Sequence, residues 1–108
     1  MFVATNRLKV KKGHGPELEG RFRHRGGVER ETGFLGFEFW KLDRQEAEHE
    51  EYLVVTHWES KEAHTRWTQS DSSRRAHSGP PADFILGHGE FSSYDVVFSS
   101  RPQVSAGG

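Results

Sequence analysis

Apolar and polar residues alternate from Phe2 to Lys11, with Phe2, Ala4, Leu8 and Val10 sharing one face. A period of two over that length predicts a half-buried strand. Asn6 is the exception, an amide on an otherwise apolar face. "KKGHG" breaks the pattern, and Pro16 suits the first turn of a helix. That helix is expected over residues 16–32, with Leu18, Phe22 and Val28 as sparse apolar positions. Gly26 and Gly27 interrupt it at about 1 kcal/mol each relative to Ala, which predicts a kink. Gly33 closes it. "FLGFEFWKL" (34–42) is aromatic on both faces and predicts a strand buried on both sides, and "YLVVTHW" (52–58) predicts another. The charged "DRQEAEHEE" between them reads as a loop.

Ser60 is a good N-cap for a helix over 61–69, on which Ala63 and Trp67 lie one turn apart. "SDSS" offers a second cap, for a short helix through Arg74 to His77. "GPPADFILGHGE" reads as a loop, "FSSYDVVFSS" (91–100) as the last strand, and 101–108 as a disordered tail. The order is β-α-β-β-α-β. It predicts one α+β domain over 1–100 of the ferredoxin-like, split βαβ kind, with both helices on one face of a four-stranded antiparallel sheet. Strands that are apolar on both faces need cover on the second face too. A second copy supplies it, so a homodimer is expected, the two sheets closing an α+β barrel.

Composition narrows the function. Only 32% of the 108 residues are apolar, but they include eight Phe, three Trp and two Tyr, a lean core rich in large rings. The net charge of -1 gives no strong pull toward nucleic acid or an anionic membrane, and neither is expected as a partner. There is no cysteine, which removes disulfides, thiolate haem ligation, iron–sulfur clusters and cysteine zinc sites. "MFVATNRLKV" has no signal-peptide pattern, and no apolar run approaches the roughly 20 residues that span a bilayer. A cytoplasmic protein is expected. No nucleotide-binding fingerprint and no zinc spacing of histidines is present.

Three residues stand out: Asn6 on its apolar face, Trp67 on the second long helix, and His77 ending the helix after it. The "SDSS" break resets the helical phase, so Trp67 and His77 can reach one pocket between helix and sheet. Each also has a plainer role. A strand Asn can satisfy a backbone group, a helical Trp can be core, and a lone His can be surface.

The chain resembles the IsdG-type haem-degrading monooxygenases, most closely their mycobacterial branch, over about residues 2–99. The resemblance rests on "NRL", "GPELEGRF", "GFLGF", "VVTHWESKEAHTRW" and "SDSSRRAH". It implies that His77 is the axial ligand of haem iron, since imidazole suits iron. It places Asn6 on the distal side as a hydrogen-bond donor, and Trp67 against the porphyrin, ruffling it. Haem is then both cofactor and substrate. The implied reaction is dioxygen-dependent cleavage at a meso carbon, releasing iron and a linear tetrapyrrole, for iron acquisition. Electrons come from an external donor or reductase. Arg74, one turn before His77, is a candidate partner for a haem propionate. Phe84, with Ile85 and Leu86, is a candidate cap on the porphyrin. His64 departs from the Phe that family members carry and is a fallback proton donor or second ligand. His88 is a candidate gate, and His57 reads as structural.

Two rivals remain at this stage. One is a cofactor-independent monooxygenase of the antibiotic-biosynthesis type, which has no need of an axial His. The other is a non-enzymatic haem carrier, which needs neither Asn6 nor Trp67.

Overall fold

A computed structural model describes residues 1–23, 27–43, 48–76 and 82–102. Strand β1, Phe2–Lys11, follows the alternation of its sequence and runs through the middle of the sheet. Helix α1 is Gly15–Arg23, and a single 3₁₀ turn at Val28–Arg30 takes the place of its expected second half. Gly27, at φ 104, is not helical, so the helix does not run on to 32 as expected; Gly26 lies outside the described residues. Strands β2, Phe34–Lys41, and β3, His49–Trp58, follow. Helices α2, Lys61–Thr68, and α3, Asp71–Ala76, precede β4, Ile85–Asp95.

The sheet is antiparallel in the order β2-β3-β1-β4, so the chain has the ferredoxin-like α+β fold its element order predicts. β3 starts three residues earlier than the apolar run indicates. The cause is polar: the Glu50 carboxylate accepts from the backbone N–H groups of Gly13 and Gly15, each at 3.0 Å, and pairs with Lys41 at 3.5 Å. Burial would raise the Glu50 pKa, but those donors and the lysine outweigh it and hold the carboxyl below its ordinary range. The link ties the β1–α1 turn to β3.

β4 differs most from expectation. It spans Ile85–Asp95, so much of the expected loop is strand, and 96–100, expected as strand, lies beyond it, with the Val96 N–H bonded to the Met1 carbonyl. Glycines disguised the strand. Arg7 faces Glu90 and Lys9 faces Leu86, so three residues of β4 bulge opposite Leu8 alone. Gly87, at φ 67, supplies the left-handed turn that the bulge needs.

The helix-facing side holds two cores. Phe2, Ala4, Val28, Trp58, Ala63 and Trp67 form the first, under α2. Leu8, Val10, Leu18, Tyr52 and Phe84 form the second, under α1. The opposite face carries Val3, Thr5, Arg7, Leu53, Val55 and His57 in a concavity of about 390 Å³. The tail expected at 101–108 is exposed and without secondary structure at 101 and 102, and its remainder lies outside the described residues. So does the middle of the expected loop after β2.

Candidate functional site

Asn6 lies on the helix-facing side between the two cores, half-buried, one side-chain row from Ala4 and one from Leu8. Its cross-strand neighbours are Val54 on β3 and Phe91 on β4. The register therefore adds a residue that sequence reasoning left in an ordinary strand. Phe91 is 61% exposed, although it shares the face that carries the core. The signal for it was the position of Asn6 itself, but only the true register of β4 shows that Phe91 stands beside it.

His64 extends this aromatic edge. Its ring stacks on Phe91 at 5.9 Å and 18° between planes, tilts against Phe2 at 5.4 Å, and meets Trp58 edge-on at 5.5 Å. Burial lowers the imidazole pKa, so the ring is neutral at pH 7. Its ring nitrogens make no hydrogen bond to the described residues. A neutral imidazole can donate, accept or bind a metal.

Trp67, one turn on, is 7% exposed and packs in the first core, stacked on Trp58 at 6.5 Å. The plain reading of its Ala63 spacing, as core, holds. The two indoles differ in one respect. Trp58 donates its N–H to Thr56 Oγ1 at 2.9 Å, whereas the Trp67 N–H meets no acceptor among the described residues. Ser60 caps α2 as expected, accepting from the Ala63 N–H at 3.2 Å. The cap of α3 is Ser70, whose Oγ accepts from the Ser73 N–H at 3.1 Å and donates to the Trp67 carbonyl at 2.7 Å. Thus α3 starts directly from the turn that ends at Trp67. The described helix runs to Ala76, and His77 lies outside the described residues.

Arg74 is exposed and pairs with Asp71 at 3.6 Å. Phe84 belongs to the second core, 9% exposed and stacked on His14 at 5.5 Å. This packing turns the ring into the core, and its expected place as a cap on a ligand is untested by it. The strand start at Ile85 draws Phe84 inward, because Lys11 donates its backbone N–H to the Phe84 carbonyl at 2.9 Å. His57 faces the opposite side of the sheet, 3.1 Å from Glu38, and is structural as expected. His88 lies exposed in the β4 bulge. No group of three or more His, Asp or Glu poised for a metal ion occurs among the described residues.

The described site is thus a single amide in an aromatic setting, with an exposed ring beside it and a histidine, His64, on the neighbouring helix. The large concavity is on the other face, away from Asn6. It is the face of the sheet that its own helices leave uncovered.

Residues 1–79 match the family described as antibiotic biosynthesis monooxygenase. The heme-degrading monooxygenase of Shouchella clausii is 38% identical, over 98% of this chain and 99% of its own. That of Bacillus thuringiensis is 37% identical over the same shares. Among solved structures, the heme-degrader MhuD from Mycobacterium tuberculosis, with two hemes bound in its active site, is 39% identical with a TM-score of 0.73, covering 94% of this chain and 100% of its own.

Proposed function

The chain belongs to the antibiotic biosynthesis monooxygenase family, and from that premise we propose that it degrades haem. The reaction is dioxygen- and electron-dependent cleavage of the porphyrin at a meso carbon, releasing iron and a linear tetrapyrrole. The observation that carries this reading is Asn6. It is a half-buried carboxamide set between two ring-rich cores, with Phe91 exposed beside it on the same face. A flat, largely apolar substrate needs such walls and few polar groups. The full-length likeness to heme-degrading monooxygenases supports the same substrate.

Haem supplies the iron at which dioxygen is reduced, and is consumed. The chain holds and orients it. His77, the residue that follows α3 in the sequence, would hold the iron through its imidazole. Asn6 would supply amide N–H donors for negative charge that develops during the reaction. The Phe91 ring and the neutral His64 imidazole form an aromatic wall beside the amide. Trp67 is first a core residue. What it offers the porphyrin is an indole N–H that meets no acceptor among the described residues. Arg74 exchanges its exposed Asp71 partner for a propionate at little cost, since exposed pairs are worth about 0–1 kcal/mol. Electrons come from a separate donor. No described helix is long and apolar enough to cross a membrane, and we place the reaction in the cytoplasm, in a homodimer.

The test is to titrate ferric haem into the apoprotein, add ascorbate in air, and identify the chromophore by mass spectrometry. A ligated complex that bleaches to a bilin is expected, and His77→Ala is expected to lose both the Soret position and turnover. Absence of a complex would favour the cofactor-free monooxygenase, and a complex that never bleaches would favour a carrier.

A further inference from the structure

We propose that Gly89, in the bulge of β4, is a positioning residue for Asn6: the side chain it lacks is the space the Asn6 amide occupies. A Cβ at position 89 would stand 2.9 Å from Asn6 Nδ2 and 3.0 Å from its Cγ, and nearer still to Oδ1. Real Cβ atoms do not approach that closely. The requirement is one of contact and not of backbone conformation. Gly87, two residues earlier, has a φ of 67 and needs glycine for that reason, with open space around it. Gly89 is not among the glycines of positive φ, so its backbone would accept another residue.

The bulge gives this contact its purpose. It sets three residues of β4 opposite Leu8 and returns to register at Glu90, so that Gly89 passes against the Asn6 side chain before Phe91 pairs with it. Asn6 is fixed by its backbone, paired with β3 on one side and β4 on the other. Its amide has only χ1 and χ2 to turn about. Gly89 closes one sector of that motion and leaves the amide lying on the β4 backbone. A methyl group at 89 would therefore displace the amide, the flexible partner in the contact, and leave the sheet intact.

This inference rests on the functional reading above in treating the aim of the amide as catalytic, and its test separates the two. Gly89→Ala, Asn6→Ala and the double variant are compared with wild type. In the apoprotein, Gly89→Ala is expected to shift the Asn6 side-chain amide resonances in a ¹⁵N correlation spectrum. The melting temperature it loses should be restored in the Asn6→Ala background, where the space is vacant. With haem bound, Gly89→Ala should keep the Soret position and an affinity within about 3-fold of wild type. Its single-turnover bleaching should slow by roughly 10- to 100-fold, since a misplacement of about 1 Å costs on that order. The double variant should bleach no more slowly than Asn6→Ala alone. Unmoved Asn6 resonances, or melting losses that simply add, would overturn the proposal whether or not haem is degraded. Wild-type bleaching in Gly89→Ala while Asn6→Ala is slow would overturn its catalytic half. Equal rates in Asn6→Ala and wild type would instead remove the functional reading and leave the positioning to the spectra. If Gly89→Ala does not fold, the double variant should. Failure of both would place the need for glycine in the backbone and end the proposal.

Discussion

Protonating His64 would put a charge among Phe2, Trp58 and Phe91, with no carboxylate among those ring contacts to balance it. Burial holds its pKa below the ordinary imidazole range, so the unfolded chain binds this proton more readily than the folded one. The stability the neutral ring contributes is present above the unfolded pKa and is lost as pH falls through it. Between about pH 7.5 and about pH 5.5, the apoprotein should lose more melting temperature than a His64→Phe variant, which keeps the packing and discards the titration. Parallel losses would show that the ring is hydrated in solution. At this scale the sequence was legible where one residue broke a pattern. Asn6 stood out because an amide interrupted an apolar face. Phe91 and Gly89 broke none, and their place beside Asn6 depends on a register that no local pattern encodes. Trp67 was legible as core from Ala63, four residues before it. That its N–H meets no acceptor among the described residues was not.

Element boundaries were legible wherever capping chemistry is local and obscure wherever a partner strand decides. Ser60 announces α2 because its hydroxyl accepts from a residue three positions on. β4 was hidden because Gly87, His88 and Gly89 look like a loop, and only pairing with β1 makes them a bulge. Two glycines show how differently the same residue can act within elements. Gly33 opens β2 at φ 85, its carbonyl accepts from the Glu59 N–H at 2.8 Å, and an added Cβ would lie 2.6 Å from that of Ala63 on α2. Gly33→Ala should cost about 1–2 kcal/mol for the left-handed backbone and a further 1–3 kcal/mol or so for overpacking against α2. Gly20, within α1, has nothing within 4 Å of such a Cβ and no positive φ. Gly20→Ala should stabilise by about 0.4–1 kcal/mol through helix propensity and a less free unfolded chain. Urea unfolding of the two variants checks both signs, and a stable Gly33→Ala would mean that α2 does not press on the start of β2.

The molecule as a whole presents an imbalance. Both helix layers cover one face of the sheet, while the other holds a concavity whose rim includes Trp40, 50% exposed, and Tyr94, 56% exposed. Beyond β4 the chain continues with Val97 and Phe98 at 89% and 85% exposed, although their composition is that of a strand. The last backbone bond there is from Val96 N–H to the Met1 carbonyl at 3.0 Å. Large exposed rings on the uncovered face of a small domain suit an interface. An extended segment without a pairing partner fits the edge of another sheet. A second copy would meet both needs if each sheet covered the other and each 96–100 segment added to the partner's edge. The expected strand at 91–100 would then be correct in the assembly while its second half lies beyond β4 in one chain. Light scattering at tens of micromolar should give about twice the 12.3 kDa of the chain. Phe98→Asp should shift that mass toward the monomer, because a carboxylate in an apolar interface must be desolvated without a partner. The same change leaves Asn6, Trp67 and the two cores untouched, so circular dichroism should remain that of a folded protein. A wild-type monomer with native circular dichroism would mean that the open face tolerates water as it stands, and the barrel would have to be abandoned.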